Sequence, residues 1–163
     1  MAFFRVDPAT EADIPIILDF IKQLAEFERL ADDVVATHAD IRSALFSDRP
    51  VAEALVGRCG VDPVGFALFF SNFSTFLGRP GIHLEDLYVQ PDHRGRGFGH
   101  KLLAEIARLA CERGCSRVEW SVLNWNNRAI DTYRRAGAVP MDRWTVYRLA
   151  GAALERLGRQ KVG

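Results

Sequence analysis

A glycine-rich segment, Arg94-Gly95-Arg96-Gly97-Phe98-Gly99, is the part of the chain that most directly indicates a chemistry. It follows an apolar, strand-like run from Ile82 to Val89 and precedes an amphipathic run from Lys101 to Arg113. Glycines let backbone N–H groups approach a ligand closely, and the first N–H groups of a helix, at the positive end of its dipole, favour phosphates. The arginines of the segment add positive charge. The segment therefore predicts a seat for a phosphate-bearing cofactor.

Three glycine patterns compete for this segment. A P-loop requires Gly-x-x-x-x-Gly-Lys-Ser/Thr, which the residues after Gly99 do not supply. A dinucleotide fingerprint requires Gly-x-Gly-x-x-Gly, but His100 stands at the last position. Glu119 lies at about the distance expected of its ribose-binding acid, about 20 residues on, yet inside the next predicted strand rather than at its end. The third pattern, Arg-x-x-Gly-x-Gly, is met in full. A solvated turn without a ligand is the structural alternative.

Three further motifs accompany the segment. Downstream, Asn124 to Tyr133 combines an asparagine cap, a short helix and a tyrosine, and Gly137 follows. Upstream lie Leu84-Glu85-Asp86-Leu87-Tyr88-Val89 and Leu24-Ala25-Glu26-Phe27-Glu28. Together these residues resemble the GNAT superfamily of acyl-CoA-dependent N-acetyltransferases, and within it the branch that acetylates diamines (spermidine and spermine) and thialysine. The resemblance extends over nearly the whole chain.

The resemblance implies a fold, a co-substrate and an assembly. The fold is the α/β GNAT sandwich of three layers, a mixed central sheet flanked by helices. The co-substrate is acetyl-CoA, with its pyrophosphate over the glycine segment and its pantetheine beside the preceding strand; relatives are dimers, so a homodimer is expected. The residues expected to bind acetyl-CoA are Leu87, Tyr88, Val89, Arg94, Gly95, Arg96, Gly97, Phe98, Gly99, His100, Asn126 and Tyr133.

Two adjacent carboxylates, Glu85 and Asp86, precede the glycine segment, where they could take the proton of an attacking amine. This step matters because a lysine-like amine has a pKa of about 10.4 and is almost entirely charged at neutral pH. Adjacent strand residues point to opposite faces, so an unbulged strand places Glu85 with His83 and Asp86 with the apolar Ile82 and Leu84, whereas a bulge brings both carboxylates to one cleft. A salt bridge or a buried capping role is the structural alternative. The resemblance favours Glu85 as the catalytic, substrate-holding residue; whether Glu85, Asp86 or water accepts the proton stays open.

Tyr133 and the Phe27-Glu28 pair complete the predicted site. The resemblance places Tyr133 by the sulfur of the leaving thiol, as its proton donor, although Tyr133 shares a helix face with Ile130 and spacing alone favours a core role. Phe27 and Glu28, with Glu85 and Asp86, are the predicted substrate-binding residues. The polyamine-acetylating relatives carry tyrosine where this chain has Phe27, which shifts the expectation towards lysine-like or other small amines; from the residues alone, Phe27 is a packing residue. Histidines 38, 83, 93 and 100 show no metal or triad spacing and are expected at the surface.

Composition limits the alternatives. The 163 residues fit one domain, 1–163, and 21 basic against 21 acidic residues give no indication of nucleic acid or an anionic membrane as partner. No apolar stretch approaches the roughly 20 residues of a membrane span, and a cytoplasmic protein is expected. Three cysteines argue against a disulfide framework, and Cys111 with Cys115 lacks the further ligands of a metal site, so no metal is expected.

The elements that must position these residues alternate between strands and helices. Thr10-x-x-Asp13 and Thr37-x-x-Asp40 resemble capping boxes that open two helices. Predicted strands are Phe3–Val6, Val51–Arg58, Val64–Phe73, Ile82–Val89, Arg117–Leu123 and Trp144–Leu149, and predicted later helices are Gly99–Arg113, ended by Gly114, and Asn127–Ala136. This order indicates a mixed sheet with a βαβ unit at its centre.

Three function classes follow from these patterns. The favoured one is an acetyl-CoA-dependent enzyme that acetylates a small primary amine by direct attack, since no nucleophile motif indicates a covalent intermediate. A non-catalytic acyl-CoA-binding regulatory module is the second, and a nicotinamide-dependent oxidoreductase is the third. The acceptor amine itself is not specified by the sequence.

Overall fold

The computed structural model describes residues 3–160, which form two compact units divided after Asn126. The expectation of a single domain over 1–163 stays a prediction. The first unit contains five strands and three helices: β1 (Phe4–Pro8), α1 (Ile14–Phe27), α2 (His38–Phe46), β2 (Glu53–Cys59), β3 (Asp62–Ser74), β4 (Arg79–Val89), α3 (Phe98–Glu112) and β5 (Val118–Glu119).

The five strands form one mixed sheet in the order β1-β2-β3-β4-β5. The first four are antiparallel neighbours, and β5 pairs parallel with β4 after the α3 crossover. The mixed sheet and its βαβ unit are as predicted. The expected place of that unit at the centre is wrong for residues 3–160, because the first four strands form a meander and β5 is added outside β4 at one edge of the sheet. A parallel neighbour requires such a crossover connection, which the amphipathic run after the glycine segment supplies.

Helices cover both faces of the sheet and make three layers. Phe66 of β3 and Tyr88 of β4 pack with Phe20 of α1, and α2 joins the same core. On the other face Leu102 and Ile106 of α3 are fully buried. The even-numbered residues of β3 near its centre therefore face α1, and the odd-numbered ones face α3.

Local capping signals place the first two helices as predicted. The carboxylate of Asp40 accepts the Thr37 N–H at 2.8 Å, and the Asp40 N–H donates back to the Thr37 hydroxyl at 3.3 Å. The Asp13 carboxylate likewise accepts the Thr10 N–H at 2.9 Å, and a short 3₁₀ turn precedes α1 there. Asp13 is buried and binds Arg58 at 2.5 Å. Burial raises the pKa of Asp13, but the hydrogen bonds from Arg58 and Thr10 outweigh it and leave that pKa below its ordinary value.

The second unit contains α4 (Asn127–Arg135) and α5 (Gly151–Gly158). Gly137, at φ +88°, ends α4 as predicted, and the Ala138 N–H donates to the Tyr133 carbonyl at 3.0 Å. The predicted strand Trp144–Leu149 is wrong for this structure: these residues belong to no strand and their side chains are largely exposed. The predicted strand Arg117–Leu123 is reduced to Val118–Glu119. A β-rich composition forms a strand only where a neighbour accepts its hydrogen bonds.

None of the helices within residues 3–160 is both long enough and apolar enough to cross a bilayer.

Candidate active site

The glycine segment forms the turn between β4 and α3. Gly95 and Gly97 have φ angles of +80° and +78°, a conformation that favours glycine over any side chain. Gly97 is the N-cap of α3 and supplies no side chain to bind the first N–H groups of the helix. A Cβ at Gly97 would meet nothing within 4 Å. A helix start without a side-chain cap and with open space beside Gly97 fits the predicted pyrophosphate seat.

The glycine loop adjoins an open strand edge. β5 pairs with β4 only at Ile82↔Val118 and His83↔Glu119, so within the described chain residues 84–89 of β4 have no strand on that side. An elongated ligand with amide groups can bind such an edge as a peptide strand would. The edge contains Leu87, Tyr88 and Val89, the residues predicted to bind pantetheine. This arrangement fits an acyl-CoA and leaves their individual roles as predictions.

Two predicted cofactor-binding residues, Tyr88 and Phe98, direct their side chains into the protein. Tyr88 is buried and its hydroxyl donates to the Gln23 side chain at 2.8 Å. Phe98 is buried and stacks on Phe4, with ring centroids 4.0 Å apart. Any contact of Tyr88 or Phe98 with a ligand therefore comes from the backbone. Arg96 and His100 are exposed at the loop.

Arg94 ties the loop to the strand and to α1. Its Nε donates to the Val89 carbonyl at 2.8 Å, and its guanidinium lies over the rings of Phe27 and Tyr88, at 4.9 and 5.4 Å from their centroids. The Phe27 ring in turn tilts against Trp125 at 5.8 Å. These contacts hold the end of α1, which carries Glu28, beside the glycine loop. Phe27 is 42 % exposed, so its packing on Arg94 and Trp125 leaves a face open to a ligand.

The end of α1 is itself shaped by a left-handed residue. Arg29 has φ +63°, and the Leu30 N–H donates to the Ala25 carbonyl at 2.8 Å, which closes a Schellman motif. The helix therefore stops directly at Glu28.

A β-bulge in β4 decides where the two adjacent carboxylates point. Asp86 is opposite Leu68 and Leu84 is opposite Phe69, so Glu85 is the extra residue. Leu68 shares the α1 face with Phe66, and Asp86 therefore lies on that face, whereas Leu84 lies on the α3 face. The bulged alternative is confirmed. The grouping of Asp86 with Ile82 and Leu84, expected of an unbulged strand, is wrong because the extra residue reverses the alternation.

The bulge gathers charge of one sign. Burial raises the pKa of Asp86, and the nearby carboxylates of Glu85 and Glu28 raise it further, to about 6. Burial also raises the pKa of Glu28. Glu85 is more exposed, with 55 % of its side-chain surface accessible. A half-buried carboxylate with a pKa near 6 is suited to accept protons near neutral pH, and the outer carboxylates are suited to attract a cation.

His83 was not predicted as a site residue, although strand alternation had grouped it with Glu85. It was expected at the surface, but it is half-buried, stacked on Phe70 at 4.9 Å, with Nε2 3.4 Å from the Glu85 carboxylate. Its position two residues before Glu85 was a usable signal, because residues i and i+2 of a strand share a face.

The remaining predicted residues lie at the boundary of the units or beyond it. The Asn126 N–H donates to the Leu123 carbonyl at 2.9 Å. Tyr133 is half-buried on α4, where it shares a face with Ile130. The roles of Tyr133 and Asn126 towards the co-substrate stay predictions. Within residues 3–160, no group of three or more His, Cys, Asp or Glu side chains is arranged to hold a metal ion.

Comparison with known proteins identifies the class of enzyme. The model of the acetyltransferase (GNAT) family matches residues 19–138, and the chain belongs to this family of N-acetyltransferases. Solved structures agree on the fold: an integron cassette protein from V. cholerae superposes with a TM-score of 0.80 at 21 % identity, over 98 % of this chain and 99 % of that one. A ribosomal-protein-alanine N-acetyltransferase from Brucella melitensis superposes with a TM-score of 0.70 at 22 % sequence identity, over 91 % of this chain and 100 % of that one. The GNAT fold is confirmed.

Curated relatives narrow the class to a branch. A thialysine N-epsilon-acetyltransferase from Bos taurus is 36 % identical over 168 residues, covering 96 % of this chain and 98 % of that protein. An L-ornithine N5-acetyltransferase from Arabidopsis thaliana is 30 % identical over 205 residues, covering 98 % of this chain and 90 % of that protein. Both names describe acetylation of an amine, and the predicted resemblance to the thialysine branch is confirmed.

Proposed function

We propose that this protein transfers an acetyl group from acetyl-CoA to a small, positively charged primary amine (a diamine or polyamine, thialysine or a lysine-like amine) by direct attack in a ternary complex. The observation that carries the proposal is the bulge at Glu85, which collects Glu85 and Asp86 on the face shared with Glu28. Three carboxylates beside an open strand edge suit a cationic acceptor next to an acyl-CoA.

The acetyl-CoA half of the proposal rests on the glycine loop and the β4 edge. The helix α3 begins at Gly97 without a side-chain cap, which supports a pyrophosphate bound to the first N–H groups of the helix, and Arg96 and His100 are exposed in the same loop. Leu87 to Val89 offer backbone groups to the pantetheine amides. Acetyl-CoA supplies the activated acyl group as co-substrate, and a thiol with an ordinary pKa of about 8.5 departs.

The acceptor half divides the work among the carboxylates. Glu28 and Glu85 hold the ammonium group at the mouth of the cleft, and Asp86 takes its proton before attack. Asp86 suits this step better than Glu85 because its pKa of about 6 leaves it ionised at neutral pH yet more basic than an ordinary carboxylate. The residue singled out by resemblance, Glu85, then acts mainly in binding. Tyr133 donates a proton to the departing sulfur.

Two properties of the whole protein belong to the same proposal. We expect a homodimer, with about twice the 18.3 kDa mass of the chain in light scattering, and a cytoplasmic location.

A panel of amines tests the proposed function. CoA release is measured with 1,5-diaminopentane, spermidine, thialysine, lysine and ornithine, against a neutral arylamine and a peptide N-terminus. Charged aliphatic amines are expected to give the highest kcat/KM, and their KM is expected to rise with salt because screening weakens their attraction to the carboxylates. Glu85→Gln is expected to raise KM for these amines and leave acetyl-CoA affinity unchanged. A neutral arylamine or a peptide outperforming every charged amine would refute this substrate class.

A further inference from the structure

His83 occupies a defined place beside the proposed acceptor site. It lies opposite Phe70 of β3, and its imidazole stacks on that ring with a centroid separation of 4.9 Å and an angle of 26° between planes. Stacking fixes the plane of the imidazole, and only 29 % of its side chain is exposed. Its Nε2 is 3.4 Å from Oε2 of Glu85.

Glu85 needs such a partner because of where it lies. As the extra residue of the bulge it has no opposite residue on β3, and more than half of its side chain is exposed. A free glutamate side chain has many rotamers, and holding one of them costs conformational entropy. A ring already fixed by its own stacking can orient the carboxylate with little further loss.

Two other carboxylates near His83, those of Glu119 and Asp86, are less suited to pair with it. Glu119 of β5 is in register with His83, but its carboxylate binds Arg117 Nε at 2.7 Å and lies 3.5 Å from the Asn72 amide nitrogen. Asp86 lies on the same face, beyond the bulge. Glu85 is therefore the carboxylate within ion-pair distance of His83.

We infer that His83 is a positioning residue for acceptor selection: it holds the Glu85 carboxylate at the mouth of the cleft, where that carboxylate binds the ammonium group of the amine. This inference rests on the proposed function and deepens it. His83 contacts neither the thioester nor the attacking nitrogen and acts through Glu85 alone.

The test uses His83→Phe, which keeps a ring to stack on Phe70 and removes the nitrogens, and His83→Gln, which retains an N–H donor. Binding of 1,5-diaminopentane is measured by calorimetry on the full chain, together with KM and kcat. His83→Phe is expected to weaken diamine binding about three- to tenfold, the scale of a partly exposed charged contact, with kcat and acetyl-CoA affinity little changed. His83→Gln is expected to recover part of the loss.

The double variant His83→Phe/Glu85→Gln separates the outcomes. If His83 acts through Glu85, the double variant binds diamine no more weakly than Glu85→Gln alone. Losses that add fully, or unchanged binding in His83→Phe alongside impaired binding in Glu85→Gln, would overturn the inference while the proposed function stands. Unchanged binding in Glu85→Gln would overturn both. If His83→Phe unfolds, the double variant is made with His83→Gln instead, and a His83→Gln loss that adds fully to the Glu85→Gln loss would overturn the inference.

Discussion

At the scale of single residues, Asp86 and Glu85 illustrate how neighbours in sequence acquire different chemistry. Both are carboxylates on one bulge, but burial and the charges of Glu85 and Glu28 raise the pKa of Asp86 to about 6, whereas Glu85 is exposed beside His83. A carboxylate whose pKa is raised by its surroundings is typical of an acid–base site. The inner residue is suited to proton transfer and the outer one to recognition.

The first prediction concerns the pH dependence of turnover. A base must be deprotonated to act, so kcat for a diamine should rise with pH through about 6, the pKa of Asp86, and level off above it. Asp86→Asn should remove this rise and lower kcat by about 10²–10⁴-fold, the usual contribution of a general base. Steady-state kinetics from pH 5 to 9 measure both effects. Glu85→Gln serves as the control, and its kcat should still rise with pH. If kcat no longer rises with pH in Glu85→Gln but still rises in Asp86→Asn, the base is Glu85 and not Asp86.

The second prediction concerns Tyr133. Tyr133→Phe keeps the ring and its packing and removes only the hydroxyl, so it separates catalysis from core filling. We expect turnover to fall about ten- to a thousandfold with acetyl-CoA affinity little changed. Tyr147→Phe is a matched control, because Tyr147 is 93 % exposed and should show no effect. Equal turnover in the two variants, under conditions where chemistry limits the rate, would leave Tyr133 with a packing role.

At the scale of elements, the start of α3 has to serve as both a helix terminus and a binding surface. Gly97 at one end of α3 and Gly114 just past the other both have positive φ angles, +78° and +68°, and a Cβ at either would meet nothing within 4 Å. The two positions thus pose the same conformational demand, but only Gly97 lies at the proposed phosphate seat.

This symmetry gives the third prediction. Gly97→Ala and Gly114→Ala should each cost about 1–2 kcal/mol of stability, because a left-handed conformation is unfavourable for alanine. Only Gly97→Ala should weaken acetyl-CoA binding, since its methyl group occupies the space of the ligand. Thermal unfolding and calorimetry with acetyl-CoA measure the two effects. Undiminished affinity in Gly97→Ala, or tight NADH binding by the wild type, would contradict the placement of the pyrophosphate.

The elements also show how far sequence reasoning reaches. The starts at Thr10 and Thr37 and the helix end at Gly114 were predictable because residues a few positions apart determine them. The bulge at Glu85 could be predicted only as one of two alternatives. It depends on the pairing register between β4 and β3, which cannot be read from neighbouring residues in the sequence. The strand expected at Trp144–Leu149 failed for the same reason.

The candidate site likewise has a part that could be predicted from local sequence and a part that could not. The glycine loop follows from a contiguous motif, and its geometry is as expected. The contacts of Arg94 with Phe27 and Tyr88, and of His83 with Glu85, join residues through the sheet register and the packing of α1, so they needed the structure.

At the scale of the whole molecule, the acceptor site lowers the stability of the fold. The pKa of Asp86 is 3.8 in a model peptide and about 6 in the folded protein, so the folded state binds this proton more tightly. The unfolding free energy therefore decreases as pH rises from about 4 to about 7, the range over which Asp86 ionises in its half-buried position. A buried charge maintained for function is a common reason for lower stability at an active site.

The fourth prediction tests this linkage without any ligand. At pH 8, Asp86→Asn should be more stable than the wild type by about 1–3 kcal/mol, because the wild type must ionise a carboxyl group whose pKa is raised from 3.8 to about 6 and which is partly exposed. Near pH 4 the two proteins should be equally stable. Urea unfolding at both pH values measures the difference. Asp62→Asn, at the exposed first residue of β3, controls for loss of a carboxylate in general. An equal difference in unfolding free energy at the two pH values would mean that ionisation of Asp86 does not destabilise the fold.

The extra residue at Glu85 also divides β4 into two stretches of opposite phase. Before it, even-numbered residues such as Leu84 point towards α3; after it, even-numbered residues such as Asp86 and Tyr88 point towards α1. A chain shortened by one residue at this point would keep a single phase along the strand, and either the carboxylate or the apolar residues before it would exchange faces. Substitutions can therefore adjust this site gradually, but a change of length within β4 inverts it.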